Sequence, residues 1–348
     1  MVVVLCLLIA ASQPYAAKAE DPARYPSMYA DSTLKQTVLA GIELTIREHY
    51  ESADSVFAAV SRQYPSSPVG PLFRAACLQM KMIDREDGTL WPQLEPLLDE
   101  TIEKSEKWKK VEPDNPEPYF FQGGAYGYWA VYESHWGGWF AAIKTGLKAA
   151  NRFKKVVELD PTFIDAYLGL GSYQYWKSAK MTFINWLPII PDDRRTGIKN
   201  LQLAAEKGTF VRQTAETALM WTLLDFGLPE KALTIAHKLH GEYPETKAFI
   251  WGIGLSSLAA YRWKESIAAF DTLEARINLE GQGNYFNLID CAYYKAEAAY
   301  HAGDYDRCRA ECRRAFAYLP PREIRERQQD KLSALEKRYR ELEKRAGK

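Results

Sequence analysis

Apolar residues along this chain recur at three- and four-residue steps, the spacing that lines one face of an α-helix, and no stretch alternates with the period of two that a half-buried strand needs. The pattern predicts an all-α chain, and it repeats. Ala53-x3-Phe57 is followed eight residues later by Pro65, and Ala149-x3-Phe153 eight residues later by Pro161. Ala232-x3-Ala236 stands eight residues before Pro244, and Cys308-x3-Cys312 eight before Pro320. A small residue lets two helices approach, a ring fills the gap between them, and proline stops the helix. Upstream of these motifs, Tyr167-x2-Leu170-Gly171 places a bulky residue and a glycine one helical turn apart, and Gly41, Gly123 and Gly254 mark the same close-packing position. Boundaries fall near Pro65, Pro113, Pro161, Gly208, Pro244, Gly281 and Pro320, at intervals of 48, 48, 47, 36, 37 and 39 residues. Asp87-Gly88, Gly137-Gly138 and Pro188 to Pro191 punctuate the three longer units.

This frame resembles the tetratricopeptide-repeat superfamily, whose unit is a hairpin of two helices about 34 residues long. The resemblance covers nearly all of the chain beyond residue 33. It implies a right-handed superhelical solenoid of about seven hairpins over 34–321, with long hairpins in 66–208 and standard-length ones in 209–321. Leu332, Leu335, Tyr339 and Leu342, spaced along one face among many charges, predict that 322–348 forms an amphipathic helix capping the last repeat. A narrower stretch is similar to the inclusion-body-clearance (tetratricopeptide-repeat-39-like) family, through Gly169-Leu170-Gly171, Ser178, Leu187-Pro188 and Arg194-x2-Gly197-Ile198-x2-Leu201. About thirty residues carry it, and that family's function is not transferred.

Val2 to Ala11 form an apolar run too short to cross a hydrocarbon core but of the length of a signal-peptide core, and Ala17-Lys18-Ala19 supplies a small-x-small cleavage pattern. The expectation is a signal peptide over 1–19, a linker over 20–33 and an exported protein, periplasmic or extracellular, although no Lys or Arg precedes the run. Four cysteines then remain, Cys77, Cys291, Cys308 and Cys312, too sparse for a disulfide framework. Core packing is their default reading, with a Cys291–Cys312 bridge the alternative in an oxidising compartment.

With 45 Lys+Arg against 45 Asp+Glu, the chain lacks the positive excess of a nucleic-acid binder. The charge is unevenly spread: 81–120 carries a net −5 and 301–348 a net +5. Solvated helix faces explain this most simply, and head-to-tail self-association is another use of it. The chain contains no G-x-S-x-G, H-E-x-x-H, C-x-x-C or phosphate-cradling loop. Gly123-Gly124-x2-Gly127 lacks the following lysine, and His237 with His240 lacks further ligands. Asp192 and Asp193 beside Arg194 and Arg195 are the best acid–base candidates, but a charged turn after proline is far commoner. No enzyme activity, metal or cofactor is expected.

A solenoid of paired helices exposes its first helices on a concave face, where partners are read. The repeat frame brings Trp221, Trp251, Tyr293, Glu297 and Tyr300 there, with Phe120 and Tyr128 as further candidates, whereas Trp129, Trp136 and Trp139 read as packing around the Gly137-Gly138 turn. The insertion Phe183-Ile184-Asn185-Trp186-Leu187-Pro188-Ile189-Ile190-Pro191 is apolar yet bracketed by charge. Phe183, Trp186 and Leu187 therefore join the contact candidates. A membrane contact through 183–190 ranks behind a protein partner, because basic residues do not flank the loop on both sides. The reading is an exported scaffold that binds a protein or peptide without catalysis; the alternative is a small-ligand or glycan-binding receptor of the cell envelope.

Overall fold

The computed structural model describes residues 25–181, 191–281 and 283–346, and among these sixteen helices run with no strand. The first fourteen pair as seven successive hairpins. They are α1 (Ser32–Ile46) with α2 (Tyr50–Gln63), α3 (Val69–Arg85) with α4 (Trp91–Val111), and α5 (Glu117–Tyr132) with α6 (Trp139–Leu159). Next come α7 (Ala166–Lys180) with α8 (Arg194–Lys207), α9 (Arg212–Asp225) with α10 (Pro229–Glu242), α11 (Lys247–Ala259) with α12 (Trp263–Leu279), and α13 (Tyr285–His301) with α14 (Tyr305–Ala317). A short α15 (Arg322–Arg327) leads into α16 (Gln329–Ala346), the capping helix.

The ring-and-glycine pattern explains the close packing within the hairpins. Phe153 of α6 lies between two first helices: a Cβ on Gly123 of α5 would stand 2.8 Å from the ring, and one on Gly169 of α7 only 2.0 Å from it. No side chain fits either place. Each second helix therefore packs on the first helix of its own hairpin and on that of the next. The first helices also touch one another in sequence, α3 on α5, α5 on α7, α7 on α9, α9 on α11 and α11 on α13, and so form the inner layer of a curved array. Asp31 starts that array by accepting the N–H groups of Thr33 and Leu34, which cap α1.

The array closes on itself. Where α1 turns into α2, the Ile46 carbonyl accepts the Thr246 hydroxyl at 2.7 Å, and Arg47 reaches Glu245 at the start of the sixth hairpin. Where α3 ends, the Asp84 carbonyl accepts the Asn287 amide at 2.8 Å from the seventh hairpin, and Glu86 pairs with Arg327 of α15 at 2.6 Å. Each contact joins a hairpin to the one five or more further along the chain.

The segment before α1 locks this turn from another side. Tyr29 is wedged among the turns before α7 and α9 and the start of α5, with ring centroids 4.6 Å from Phe163, 4.9 Å from Phe210 and 6.5 Å from Phe120. Its hydroxyl donates to Asp165 at 2.8 Å, and the same carboxylate accepts the Thr209 and Phe210 N–H groups at 2.6 and 3.0 Å. Burial, reinforced by the Asp165 charge, pushes the Tyr29 hydroxyl well above its ordinary pKa. Nearby, Met28 is fully buried and Tyr25 stacks on Trp108 of α4 at 5.4 Å.

Replacing Tyr29 should therefore loosen the superhelix as a whole. We expect Tyr29→Ala to cost about 3–5 kcal/mol through the cavity it leaves. Tyr29→Phe, which keeps the ring and drops one bond to Asp165, should cost about 1–2 kcal/mol. Urea denaturation of both variants against the parent measures this, and equal midpoints for all three would refute the wedge.

Candidate binding surface

Helical spacing and the inner-layer contacts place the expected anchors on first helices. Trp221 of α9 and Trp251 of α11 are half-buried, packed on the core formed by Leu219, Leu223, Ile250 and Phe270. Trp251 meets Phe270 edge-on at 5.4 Å and Tyr294 at 6.2 Å, while Phe270 and Tyr294 stack on each other at 5.3 Å. The rings thus brace one another, which fixes the rotamer of Trp251 while part of its surface stays open.

Tyr293, Glu297 and Tyr300 are brought together on α13, and α16 lies across them. Arg338 of α16 pairs with Glu297 at 2.9 Å and sets its guanidinium 3.7 Å above the Tyr300 ring. Lys331 sits 5.9 Å from Tyr293 and 5.1 Å from Tyr294 while pairing with Asp290 at 2.5 Å. These three candidates are thus contacts of the capping helix. Phe120 is a correction to the contact candidates: at 6% exposure it is core, because Tyr29 occupies the space in front of it. Tyr128 packs against the same core, and its carbonyl accepts the Gln79 amide at 2.7 Å. Trp129 meets Trp91 at 5.3 Å and Trp136 meets Tyr132 at 5.3 Å beside the turn at Glu133–Gly137, as packing residues should. Trp139 stacks on Phe140, whose ring is 70% exposed. Phe183, Trp186 and Leu187, like the signal-peptide region, lie outside the described residues.

One charged cluster escaped the sequence reading. Lys247 opens α11 almost fully buried, its ammonium 2.7 Å from Glu48 and 3.1 Å from Asp84 and also paired with Glu280. The three carboxylates come from the α1–α2 turn, the end of α3 and the end of α12, positions about 35 to 230 residues apart that no local motif links. Burial, and then the charge of Glu48, pushes the Asp84 carboxyl up to about 7, and burial raises Glu48 as well. Burial alone would lower the Lys247 ammonium, but Asp84 and Glu48 outweigh it, so the lysine stays charged. The oxygens of Glu48, Asp84 and Glu280 lie close enough together to hold a metal ion. Lys247 already supplies the cation they need.

No protein-family model matches the chain, and no curated protein matches it. Solved structures do. The APC/C hetero-tetramer Cut9–Hcn1 aligns over 83% of this chain and 47% of that one at 12% identity, with a TM-score of 0.52. PilW, a widely conserved type IV pilus biogenesis factor, aligns over 73% of this chain and 96% of its own at 12% identity and a TM-score of 0.47. A tetratricopeptide repeat protein from Parabacteroides merdae aligns over 86% and 98% at 12% identity and a TM-score of 0.39. The fold is a tetratricopeptide-repeat-like array of helical hairpins. At such identities the likeness concerns fold alone.

Within this fold the acid–base candidates are engaged in ion pairs. Asp192 binds Arg194 at 2.6 Å, and Asp193 binds Lys177 at 2.9 Å while its N–H donates to Ser178. His237 pairs with Glu265 at 2.7 Å. Cys291 and Cys312 are both buried and both free.

The buried carboxylates of the closure make it sensitive to pH. Glu117, whose carboxylate accepts the Met28 N–H at 3.2 Å, is pushed by burial to about 7, as Asp84 is. An unfolded carboxyl titrates near 4, so the folded state holds extra protons between roughly pH 4 and 7. That contribution to stability is complete below this window and lost as pH rises through 7. We expect a higher denaturation midpoint at pH 6 than at pH 8, with Asp84→Asn shrinking the difference. A midpoint that is flat or rises toward pH 8 would remove the argument.

Proposed function

We propose that the chain is an exported, non-catalytic scaffold for protein–protein interaction. It holds a protein or peptide at the inner face around Trp221 and Trp251 and at the apolar insertion that carries Phe183, Trp186 and Leu187. The supporting observation is the state of Trp251, braced by Phe270 and Tyr294 yet still partly open. A large ring held in one rotamer loses little entropy when a partner covers it, which is how interface anchors gain affinity. The tetratricopeptide-repeat fold supports an interaction scaffold in general. Export rests on the apolar run Val2 to Ala11 and the Ala17-Lys18-Ala19 pattern.

The test is crosslinked capture from the producing cells, run beside a Trp186→Ser/Leu187→Ser variant and a Trp251→Ala variant checked for unchanged helicity. One defined protein should be recovered with the parent and lost with both variants. Recovery that does not depend on these residues would refute the contact assignment. Mass spectrometry of the exported fraction should find a chain beginning at Glu20, and full-length protein confined to the cytoplasm would refute export.

A further inference from the structure

Among the described residues, the outer layer of the solenoid ends before α16. α16 packs on α13 and α14 just as α13 packs on α11 and α12, so it occupies the position of an eighth first helix. Every earlier first helix is covered by the second helix of its own hairpin, and among the described residues none covers α16. Lys331 and Arg338 face α13, and the flank roughly opposite them carries Leu332, Glu336 and Arg340. Along that flank, between α16 and the end of α14, runs an open groove of about 520 Å³.

Phe316, Tyr318, Leu332 and Tyr339 give the groove its apolar floor. Phe316 is 40% exposed, and Leu319 beside it is 77% exposed, a large apolar surface that no described residue covers. Arg325 and Arg340 form its charged rim, and Arg313 lies over Tyr339 at 5.7 Å. Glu336 is the acid in the lining, and it is already paired with Arg340. The surroundings extend this sign, since 301–348 carries a net +5.

We propose that this groove docks an acidic amphipathic helix of a partner protein, which lies along α16 beside the end of α14. Its apolar stripe, repeating at three- and four-residue steps, covers Phe316, Leu332 and Tyr339, and its carboxylates meet Arg313, Arg325 and Arg340. A basic helix would set like charges together, as would a second copy presenting the same arginine rim. The site is separate from the inner face around Trp221 and Trp251, so it stands whether or not a partner binds there.

The test uses the full chain and two fluorescein-labelled synthetic helices that share one Leu/Phe stripe, with Glu on the polar flanks of one and Lys on the other. Fluorescence anisotropy at low salt should show saturable binding of the Glu peptide, about tenfold or more tighter than the Lys peptide. Phe316→Ser and Leu319→Ser, both at exposed positions, should abolish binding while leaving helicity and melting unchanged. Arg325→Glu/Arg340→Glu should reverse the preference between the two peptides. The proposal is overturned if neither peptide saturates, if both bind alike, or if binding survives Phe316→Ser. It is also overturned if the parent sediments as a dimer that Phe316→Ser dissociates, because the groove would then belong to a second copy.

Discussion

Lys247 carries a single positive charge into a seam where Glu48, Asp84 and Glu280 converge on it, and that meeting ties the first two hairpins to the sixth. In an ordinary solenoid each repeat touches only its neighbours, so stability is close to a sum of local terms. Here the first two hairpins also touch the sixth and seventh, which couples one end of the array to the other. Removing one partner of a buried ion pair leaves the other without compensation, so a closed seam that lacked Lys247 would impose that cost on Glu48 and Asp84. Tyr29 works by a different force toward the same end. Its ring fills the space between Phe163 and Phe210, and its hydroxyl shares Asp165 with two backbone N–H groups that would otherwise go without a side-chain partner.

The part of this architecture that was legible in the sequence is the part set by contacts between neighbouring helices. Phe153 and Gly169 announce their packing because both sit at fixed offsets inside one repeat frame, and Pro161 marks where the helix between them must stop. Tyr29 offers no such signal. It meets Asp165 across 136 positions of sequence, and an isolated tyrosine before the first repeat looks like linker. Lys247 was equally hidden, because a lysine at the start of a helix is normally solvated, and only the closure surrounds it with acids. Long-range closure contacts leave no periodic trace, and that is why this segment read as a tether when Tyr25 and Met28 are part of the core and Tyr29 packs against it.

The aromatic residues of the inner layer show a related limit. The repeat frame placed Trp251, Tyr293 and Tyr300 on the same kind of surface, yet their surroundings differ with the helix that comes next in the array. Trp251 has two rings beside it and open space beyond. Tyr300 has Arg338 directly over its face, because α16 succeeds α13 in the inner layer and must cover it. A position in the frame thus determines which way a ring points, while the neighbouring element decides whether it is free to meet a partner. The same reasoning separates Phe120, covered by the segment before α1, from aromatics later in the chain that no such segment reaches.

Charge at the far end of the array obeys a division between interior and surface. Lys295 is fully buried, yet Glu274 at 2.7 Å, Glu311 at 3.1 Å and Asp271 at 3.2 Å surround it, and Arg307 and Arg314 balance the excess of acid. Three cations against three anions leave that interior neutral, as burial in a low-dielectric core demands. Most of the positive excess of 301–348 therefore resides outside this network, since Arg307, Arg314 and Glu311 account for only +1 of the +5. A chain that needed its arginines only for solubility would gain as much by interspersing acids among them. Placed around Phe316 and Tyr339, Arg313, Arg325 and Arg340 outnumber Glu336, the acid in the lining, and an apolar floor with a mainly positive rim discriminates between partners by charge as well as by shape.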